Sequence, residues 1–463
     1  MQEKRRQIRL PEGARKIIEI LNQNGYEAYV VGGCVRDSLL GREPADWDIT
    51  TSALPQQVKA LFKTIDTGLR HGTVTVLLRD KEGIESYEVT TYRIDGEYED
   101  ARHPKEVTFT SSLSEDLARR DFTVNAMAYH PEEGVVDLYG GEEDLEKRII
   151  RCVGDAKERF TEDALRMMRA IRFAAQLSAC IEDNTYAAIR EMAPSIEKVS
   201  AERIHAEMEK LLDSDNPMFF KLFYETGLSA YFMPEFDRCM ETEQNNPHHL
   251  YSVGEHILYS LQTLDLERLR LERPDTYDED LRLLRITMLL HDIAKPQCKT
   301  TDENGIDHFK GHNREGVGLS EEILRRLKYD NDTIEMVKGF TLHHDWRPDP
   351  TPSAIRRGIN RIGEKFFPLL FYVMEADLRA QSDYEREQKE TRLVRMREIY
   401  EEIVKDRECV SLKTLAVKGA DLIAAGYEPG PQIGKILSGM LEEVLENPEH
   451  NERDYLMKLF DIY

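Results

Sequence analysis

A chain of 463 residues is longer than one hydrophobic core usually supports, so several domains are expected. With 63 Lys and Arg against 87 Asp and Glu, the formal charge of -24 argues against indiscriminate binding to a polyanion; a nucleic-acid surface would have to gather its basic residues on one face. Six scattered cysteines exclude a zinc ribbon or disulfide framework, no apolar run is long enough to span a bilayer, and MQEKRRQIRL lacks a signal-peptide core, so a soluble cytoplasmic protein is expected.

Residues 11–24 read as a helix, with Pro11 near its start and Ile17, Ile20 and Leu21 on its buried face. Residues 28–31 read as a strand that empties into Gly32-Gly33, where the absence of a Cβ permits a sharp turn and close approach to a ligand. Arg36 and Asp37 follow on a short helix, and Gly41 and Pro44 break the chain before Asp46-Trp47-Asp48-Ile49. On a second strand, Asp46 and Asp48 would point to one face, and such a carboxylate pair can hold the divalent cations of phosphoryl transfer. Vicinal glycines and a DxD are each common in an acidic chain; their order is what points to catalysis.

A helix over 54–63 and strands over 72–78 and 85–93 come next, with a turn at 81–83. Glu88 is either a third carboxylate beside Asp46 and Asp48 or a solvent-facing strand residue. Residues 94–112 are polar and irregular, and their place after the strands suggests a mobile lid. Arg119 and Arg120 offer planar forks that match phosphate oxygens, or else form a helix-end charge cluster. Asp121 is positioned either to orient an arginine or to meet a ribose hydroxyl. Gly140-Gly141 marks a further turn.

Residues 160–173 read as one helix with Thr161 as N-cap and Leu165, Met168 and Ile171 as its buried stripe. Glu162, Asp163 and Arg166 fall on one face. They form either an ordinary salt-bridged surface or a side-chain template, the carboxylate accepting from a base amino group and the arginine donating to a ring nitrogen or carbonyl. Arg169 and Arg172 continue at three-residue steps as candidate phosphate contacts, and another amphipathic helix begins near Glu202.

Residues 240–380 gather eight histidines. His256, the pair His291-Asp292 after an apolar helix, and Asp377 on a later helix supply imidazole and carboxylate ligands suited to a transition-metal ion. His312 with His343 or His344 would add a second ion, while His248 and His308 read as surface residues. The tail has a charged helix over 393–408, a glycine-rich helix–turn–helix rhythm over 417–434 that suits a nucleic-acid phosphate, a helix from Gly434, and a terminal helix over 451–460.

The segments GGCVRD with DWD, RRDFTVNAMAY, YGGEEDLEKRIIR, FTEDALRMMRAIRFA and VSAERIHAEMEKLL resemble, in order, those of the bacterial class II CCA-adding enzymes, the tRNA nucleotidyltransferases of the poly(A) polymerase family. The middle resembles an HD-type metal phosphohydrolase domain, and GADLIAAGYEPGPQIGKIL resembles the family's C-terminal region. The resemblance implies an α+β chain: a small mixed-sheet nucleotidyltransferase head of the polymerase-β type over 1–151, an all-helical neck over 152–235, an HD domain over 236–385 and a tRNA-binding helical tail over 386–463. It implies template-independent addition of CMP and AMP, from CTP and ATP, to the 3′ end of tRNA, with no DNA or membrane partner; the oligomeric state stays open. Asp46 and Asp48 would hold catalytic Mg²⁺, Gly32, Gly33 and Arg36 would cradle the triphosphate, and Asp121 would approach the ribose. Glu162, Asp163 and Arg166 match the element that pairs with the incoming base, and the 94–112 loop matches the element tied to switching from C to A. An A-adding specialist, a poly(A) polymerase, and a phosphohydrolase or 2′,3′-cyclic phosphodiesterase centred on His256, His291, Asp292 and Asp377 are the alternatives.

Overall fold

A computed structural model describes residues 7–79, 83–96 and 107–460. The chain divides into two compact units, Met1–Pro234 and Glu235–Tyr463.

The first unit opens with helix α1 (Glu12–Gln23), which buries Ala14, Ile17, Ile18 and Leu21. These positions follow the i, i+3, i+4, i+7 pattern of one helical face. Ile20, assigned to that face from the sequence, lies at its edge and is only partly buried, because it falls a further 100° step round the helix from the stripe. Strand β1 (Ala28–Val31), helix α2 (Gly33–Leu39), strand β2 (Ile49–Thr51), helix α3 (Pro55–Leu61) and strands β3 (Thr64–Gly68), β4 (Thr73–Arg79) and β5 (Ile84–Thr91) follow. Next come β6 (Arg93–Asp95), β7 (Val107–Phe109), helix α4 (Leu113–Ala118), β8 (Met127–His130), β9 (Gly134–Asp137) and helix α5 (Gly141–Lys147).

Seven strands form one mixed sheet in the order β3-β4-β5-β2-β1-β8-β9. Only β2 and β5 run parallel within it, with Ile49 opposite Val89; β1 is central and buried along its whole length. Strand β3 carries no alternating apolar pattern and is mostly exposed, which hid it from the sequence reading. Asp46 and Asp48 do not lie on a strand. They occupy the loop before β2, because the ladder ends with Val31 N donating to Asp48 O at 3.0 Å and the chain leaves the sheet there. Strands β6 and β7 pair as a ribbon at the base of the expected lid; its residues 97–106 lie outside the described residues, as does most of the 81–83 turn.

The neck is not one helix over 160–173. Asp155 caps α6 (Ala156–Glu162) by accepting from the N–H groups of Lys157 and Glu158, while Thr161 lies inside that helix and donates to Lys157 O. The chain then extends at Asp163, whose carboxylate accepts from Leu165 N at 3.1 Å and so starts α7 (Leu165–Leu177). Nor is the neck wholly helical: β10 (Ile149–Ile150) pairs in parallel with β11 (Cys180–Ile181). Helices α8 (Asp183–Met192) and α9 (Ala201–Leu212) complete the elements that bear on the site.

The second unit is helical apart from a hairpin of Thr300–Thr301 and Asp307–His308. Its core holds the almost wholly buried helices Tyr277–Leu290 and Phe367–Arg379. The charged helix of the tail spans Arg386–Lys405, and the next long one starts at Pro431, three residues before Gly434, because proline suits the first helical turn. The buried Arg356 side chain donates to the carbonyls of Leu445 and Glu446 and pairs with Glu408, closing that helix's C-terminal end. Among the described residues, no helix is long and apolar enough to cross a membrane.

Candidate active site and metal centre

Between β1 and α2 the chain turns through Gly32 at φ 85°, a conformation that penalises any side chain. A Cβ there would also lie 3.0 Å from Arg120 Nη1, so the glycine admits a guanidinium directly over the turn. Beside it, Asp46 is exposed and Asp48 half-buried. Burial, then the charges of Asp46 and Glu88, push the Asp48 carboxyl up to about 6 against the opposing pull of Arg120. Glu88 is thus solvent-facing and electrostatically part of the same group, the β2–β5 register bringing its strand alongside. Three mutually repelling carboxylates with hard oxygen donors fit a divalent cation such as Mg²⁺.

Arg119 and Arg120 follow α4, and a residue the sequence reading passed over holds both. Asp116 is fully buried and accepts from Arg119 Nη2 at 2.6 Å and Arg120 Nη2 at 3.5 Å. Arg36 donates to Asp37 at 2.8 Å and to Asn125 Oδ1 at 2.7 Å, with its guanidinium 5.0 Å from the Phe173 ring centre. Asn125 in turn donates to Asp121, whose other oxygen accepts from Arg169. Asp121 is therefore paired with an arginine of the neck. Burial alone would raise its carboxyl, but Arg169 and the hydrogen bonds outweigh that and bring it down to about 2.

On the neck, Glu162 pairs with Arg159 and Arg166. Arg166 also donates to the carbonyls of Arg159 and Arg119, tying the start of α7 to the arginine segment of the head. Asp163 pairs with Arg203 of α9 at 2.7 Å, and the three residues assigned to one helical face straddle a helix break. Arg172 is buried on Glu207 at 2.5 Å and stacks 3.8 Å from the Phe173 ring centre, and Arg169 lies over the same ring. Asp116, Asn125, Arg203 and Glu207 were not singled out from the sequence: Asn125, Arg203 and Glu207 pair with residues remote in the chain, whereas Asp116 stands at i,i+3 and i,i+4 spacing from Arg119 and Arg120, a local signal.

In the second unit, His256, His291, Asp292 and Asp377 converge, every one of them buried. His256 Nε2 lies 3.0 Å from Asp377 Oδ1, 3.3 Å from Asp292 Oδ2 and 3.4 Å from His291 Nε2. Asp292 also faces a second group, its Oδ1 lying 3.2 Å from His312 Nε2 and 3.4 Å from His344 Nε2. The second histidine is thus His344 and not His343. Both Asp292 oxygens are buried and neither has a well-aligned hydrogen bond, although nitrogen atoms surround them. Buried carboxylate oxygens without aligned hydrogen bonds, set among convergent imidazoles, suit a cation. Lys295, one turn beyond Asp292, lies 2.7 Å from Oδ2 and is steadied by Gln244; Gln381 donates to Asp377 Oδ2. A cleft of about 410 Å³ lined by His249, Lys295, His312, Arg347 and Gln381 opens onto the cluster.

Four family models match the chain. The poly A polymerase head domain matches residues 28–151, the RNA and SrmB-binding site of polymerase A residues 180–240, the HD domain residues 249–405, and tRNA nucleotidyltransferase domain 2 residues 361–460. The CCA-adding enzyme of Limosilactobacillus reuteri (strain DSM 20016) is 51% identical over 222 residues, 48% of this chain and 54% of that one, so the chain spans about half the length of relatives matched at this level. The CCA-adding enzyme of Enterococcus faecalis is 33% identical over 452 residues, which is 96% of this chain and 94% of its own. The crystal structure of the Bacillus stearothermophilus CCA-adding enzyme in complex with CTP superposes with a TM-score of 0.69 at 31% identity, covering 96% of each chain. Since the similarity to the Enterococcus faecalis relative covers 96% of the chain at 33% identity, the chain belongs to the CCA-adding enzyme family.

Proposed function

We propose that this chain is a cytoplasmic tRNA nucleotidyltransferase that adds CMP and AMP, from CTP and ATP, to the 3′ end of tRNA without a nucleic-acid template. The observation that carries the reading is the placement of Arg120 between Gly32 and Asp48, which joins a close-approach turn, a carboxylate group and a triphosphate-type cation in one spot. The end-to-end similarity to the Enterococcus relative supports the same activity.

In this reading the triphosphate lies over Gly32 and Gly33, with Arg119 and Arg120 on its phosphates and Arg36 beside them. Mg²⁺ held by Asp46 and Asp48, with Glu88 alongside, would supply Lewis acidity at the α-phosphate and at the attacking 3′-hydroxyl. Asp121 keeps Arg169 aimed along the wall of the site, and Arg172 holds that wall from behind through Glu207. Asp163 and Arg166, set on either side of the helix break, present an acceptor and a donor to the incoming base, while Glu162 fixes Arg166. Preorganised charge accounts for the acceleration, with no covalent intermediate on the protein.

The test is extension of tRNA transcripts ending before CCA, after C and after CC, each with CTP, ATP and both, in Mg²⁺. Extension of all three to full CCA is expected. Extension of the CC-ending transcript alone would make the chain an A-adding enzyme, and no extension would defeat the reading.

A second reading concerns the other unit. The two convergent ligand groups favour one or two transition-metal ions, one on His256, His291, Asp292 and Asp377 and one on Asp292, His312 and His344.

A further inference from the structure

Asp116 has no role yet in nucleotidyl transfer, and it would reach substrate atoms only through Arg119 and Arg120. It nevertheless accepts hydrogen bonds from four residues, Arg119, Arg93, Thr50 and Arg120. Its Oδ1 accepts from Arg119 Nη2 at 2.6 Å, Arg119 Nε at 3.1 Å and the Arg93 N–H at 3.4 Å. Its Oδ2 accepts from Thr50 Oγ1 at 3.1 Å and Arg120 Nη2 at 3.5 Å. No part of the side chain is exposed. Thr50 is the second residue after Asp48, so a single buried carboxylate links the metal-type loop to both phosphate-type arginines.

One carboxylate holds two guanidinium groups, and Arg120 also acts by its charge on Asp48 across the glycine turn. Arg120 is the loosely held member: its contact with Asp116 is long, its Nε is buried without a hydrogen bond, and its Nη1 lies against the position of a Cβ on Gly32. A part-buried guanidinium, its Nε without a hydrogen bond and its Nη1 over a turn that favours glycine, is a site prepared for an anion.

Resting on the nucleotidyltransferase reading above, we infer that Asp116 is the positioning residue for the triphosphate: it holds Arg119 and Arg120 in register with the Asp48 loop, so that the phosphates and the reacting centre are aligned by one group. Burial works against the charge on Asp116, but the two arginines and the Thr50 hydroxyl hold its carboxyl below the usual range, so the clamp stays ionised at neutral pH. The ligand class is the triphosphate itself, whichever base it carries. CTP and ATP use the clamp equally, and base choice lies elsewhere.

The test uses the full chain and its Asp116→Asn variant, with Thr50→Val as a milder second variant. Asp116→Asn is expected to raise KM for both CTP and ATP by about 10- to 100-fold, the loss of charge-assisted bonds, with KM for tRNA changed less than about twofold. Direct binding without tRNA should show the ratio of CTP to CMP affinity falling by a similar factor. A merely structural role would weaken CTP and CMP alike, and that outcome, or an unchanged KM, overturns the inference. In an Arg119→Ala/Arg120→Ala background, Asp116→Asn should add less than about twofold, since its route to the phosphates is gone; multiplication of the separate losses also overturns it. If Asp116→Asn does not fold, Thr50→Val decides: a several-fold rise in both nucleotide KM values supports the clamp and no rise refutes it. Failure of the wild-type chain to extend any tRNA would instead sink the underlying reading, while the CTP-to-CMP binding ratio would still report on Asp116.

Discussion

Asp121 Oδ2 accepts from both Nη2 and Nε of Arg169, at 2.6 and 2.8 Å, so a carboxylate of the sheet domain is forked onto a guanidinium of helix α7. The other Asp121 oxygen is held by Phe122 N and Asn125 Nδ2, which leaves the pair one geometry. With the carboxyl brought down to about 2 from an unfolded value near 4, the ionised form contributes on the order of 2 kcal/mol to folding. A depressed pKa makes that contribution fully present above about pH 4 and removes it as pH falls towards 2. Asp121→Asn should therefore unfold more readily than the wild type at pH 7, and the gap in denaturant stability should close between pH 4 and pH 2. A gap that stays constant over that window would mean the pair is not what holds the two elements together.

The carboxylates before β2 make a sharper prediction. Asp48 sits in an environment that disfavours its own charge, with Asp46 and Glu88 adding to burial, so its ionised form is poised to gain a cation. Asp48→Asn should lower nucleotide addition on the order of a thousandfold at saturating Mg²⁺. Binding of tRNA, measured by gel shift, should change less than about threefold. Glu88→Gln should cost less and should show mainly as a higher Mg²⁺ requirement, because Glu88 is exposed and acts on Asp48 through its charge. Equal loss of tRNA binding and addition in Asp48→Asn would remove the carboxylate from the metal role.

Asp163 and Arg166 separate along the chain's break between α6 and α7, and their supports differ. Arg203 holds Asp163, whereas Glu162 and two backbone carbonyls hold Arg166. Substituting Arg203 by Ala should free Asp163 and raise misincorporation of UTP and GTP several-fold, with little change in KM for tRNA. Arg166→Ala should blur the choice of base as well, and should also lower stability because its bond to the Arg119 carbonyl is lost. Competition assays with mixed nucleotides check both; unchanged selectivity in both variants would exclude this pair from reading the base.

The legible parts of the sequence were those written in local spacing. The strand into Gly32-Gly33, the stripe of Leu165, Met168 and Ile171, and the helix ending in His291-Asp292 follow from periodicity and from glycine, and all three stand in the structure. What stayed hidden depends on partners far along the chain. Thr161 looks like a cap because Glu162 and Asp163 follow it, yet Asp155 caps that helix and Asp163 ends it, a choice decided by Arg203 forty residues on. Asp116 reads as one more acid in an acidic chain until Thr50 is brought against it from β2. Likewise, adjacent His343 and His344 are equivalent on paper; the rotation of their helix decides that His344 faces His312.

That rotation yields the last prediction. Asp292 offers Oδ2 to the group of His256, His291 and Asp377 and Oδ1 to the group of His312 and His344, so the two groups share one carboxylate. If each group holds an ion, removal of a private ligand and removal of the shared one must differ. Metal analysis after dialysis against Mn²⁺ or Zn²⁺ should find up to two ions per chain in the wild type. His256→Ala and His312→Ala should each lose about one, and Asp292→Asn should lose both. His343→Ala should lose none, since it lies outside both groups. Because Asp46 and Asp48 lie in the other compact unit, Asp292→Asn should keep CCA addition in Mg²⁺ within about twofold of wild type. One ion lost in Asp292→Asn and the other retained would mean that the groups do not share this ligand, and no ion in the wild type would mean that the buried imidazoles and carboxylates are held by protons alone.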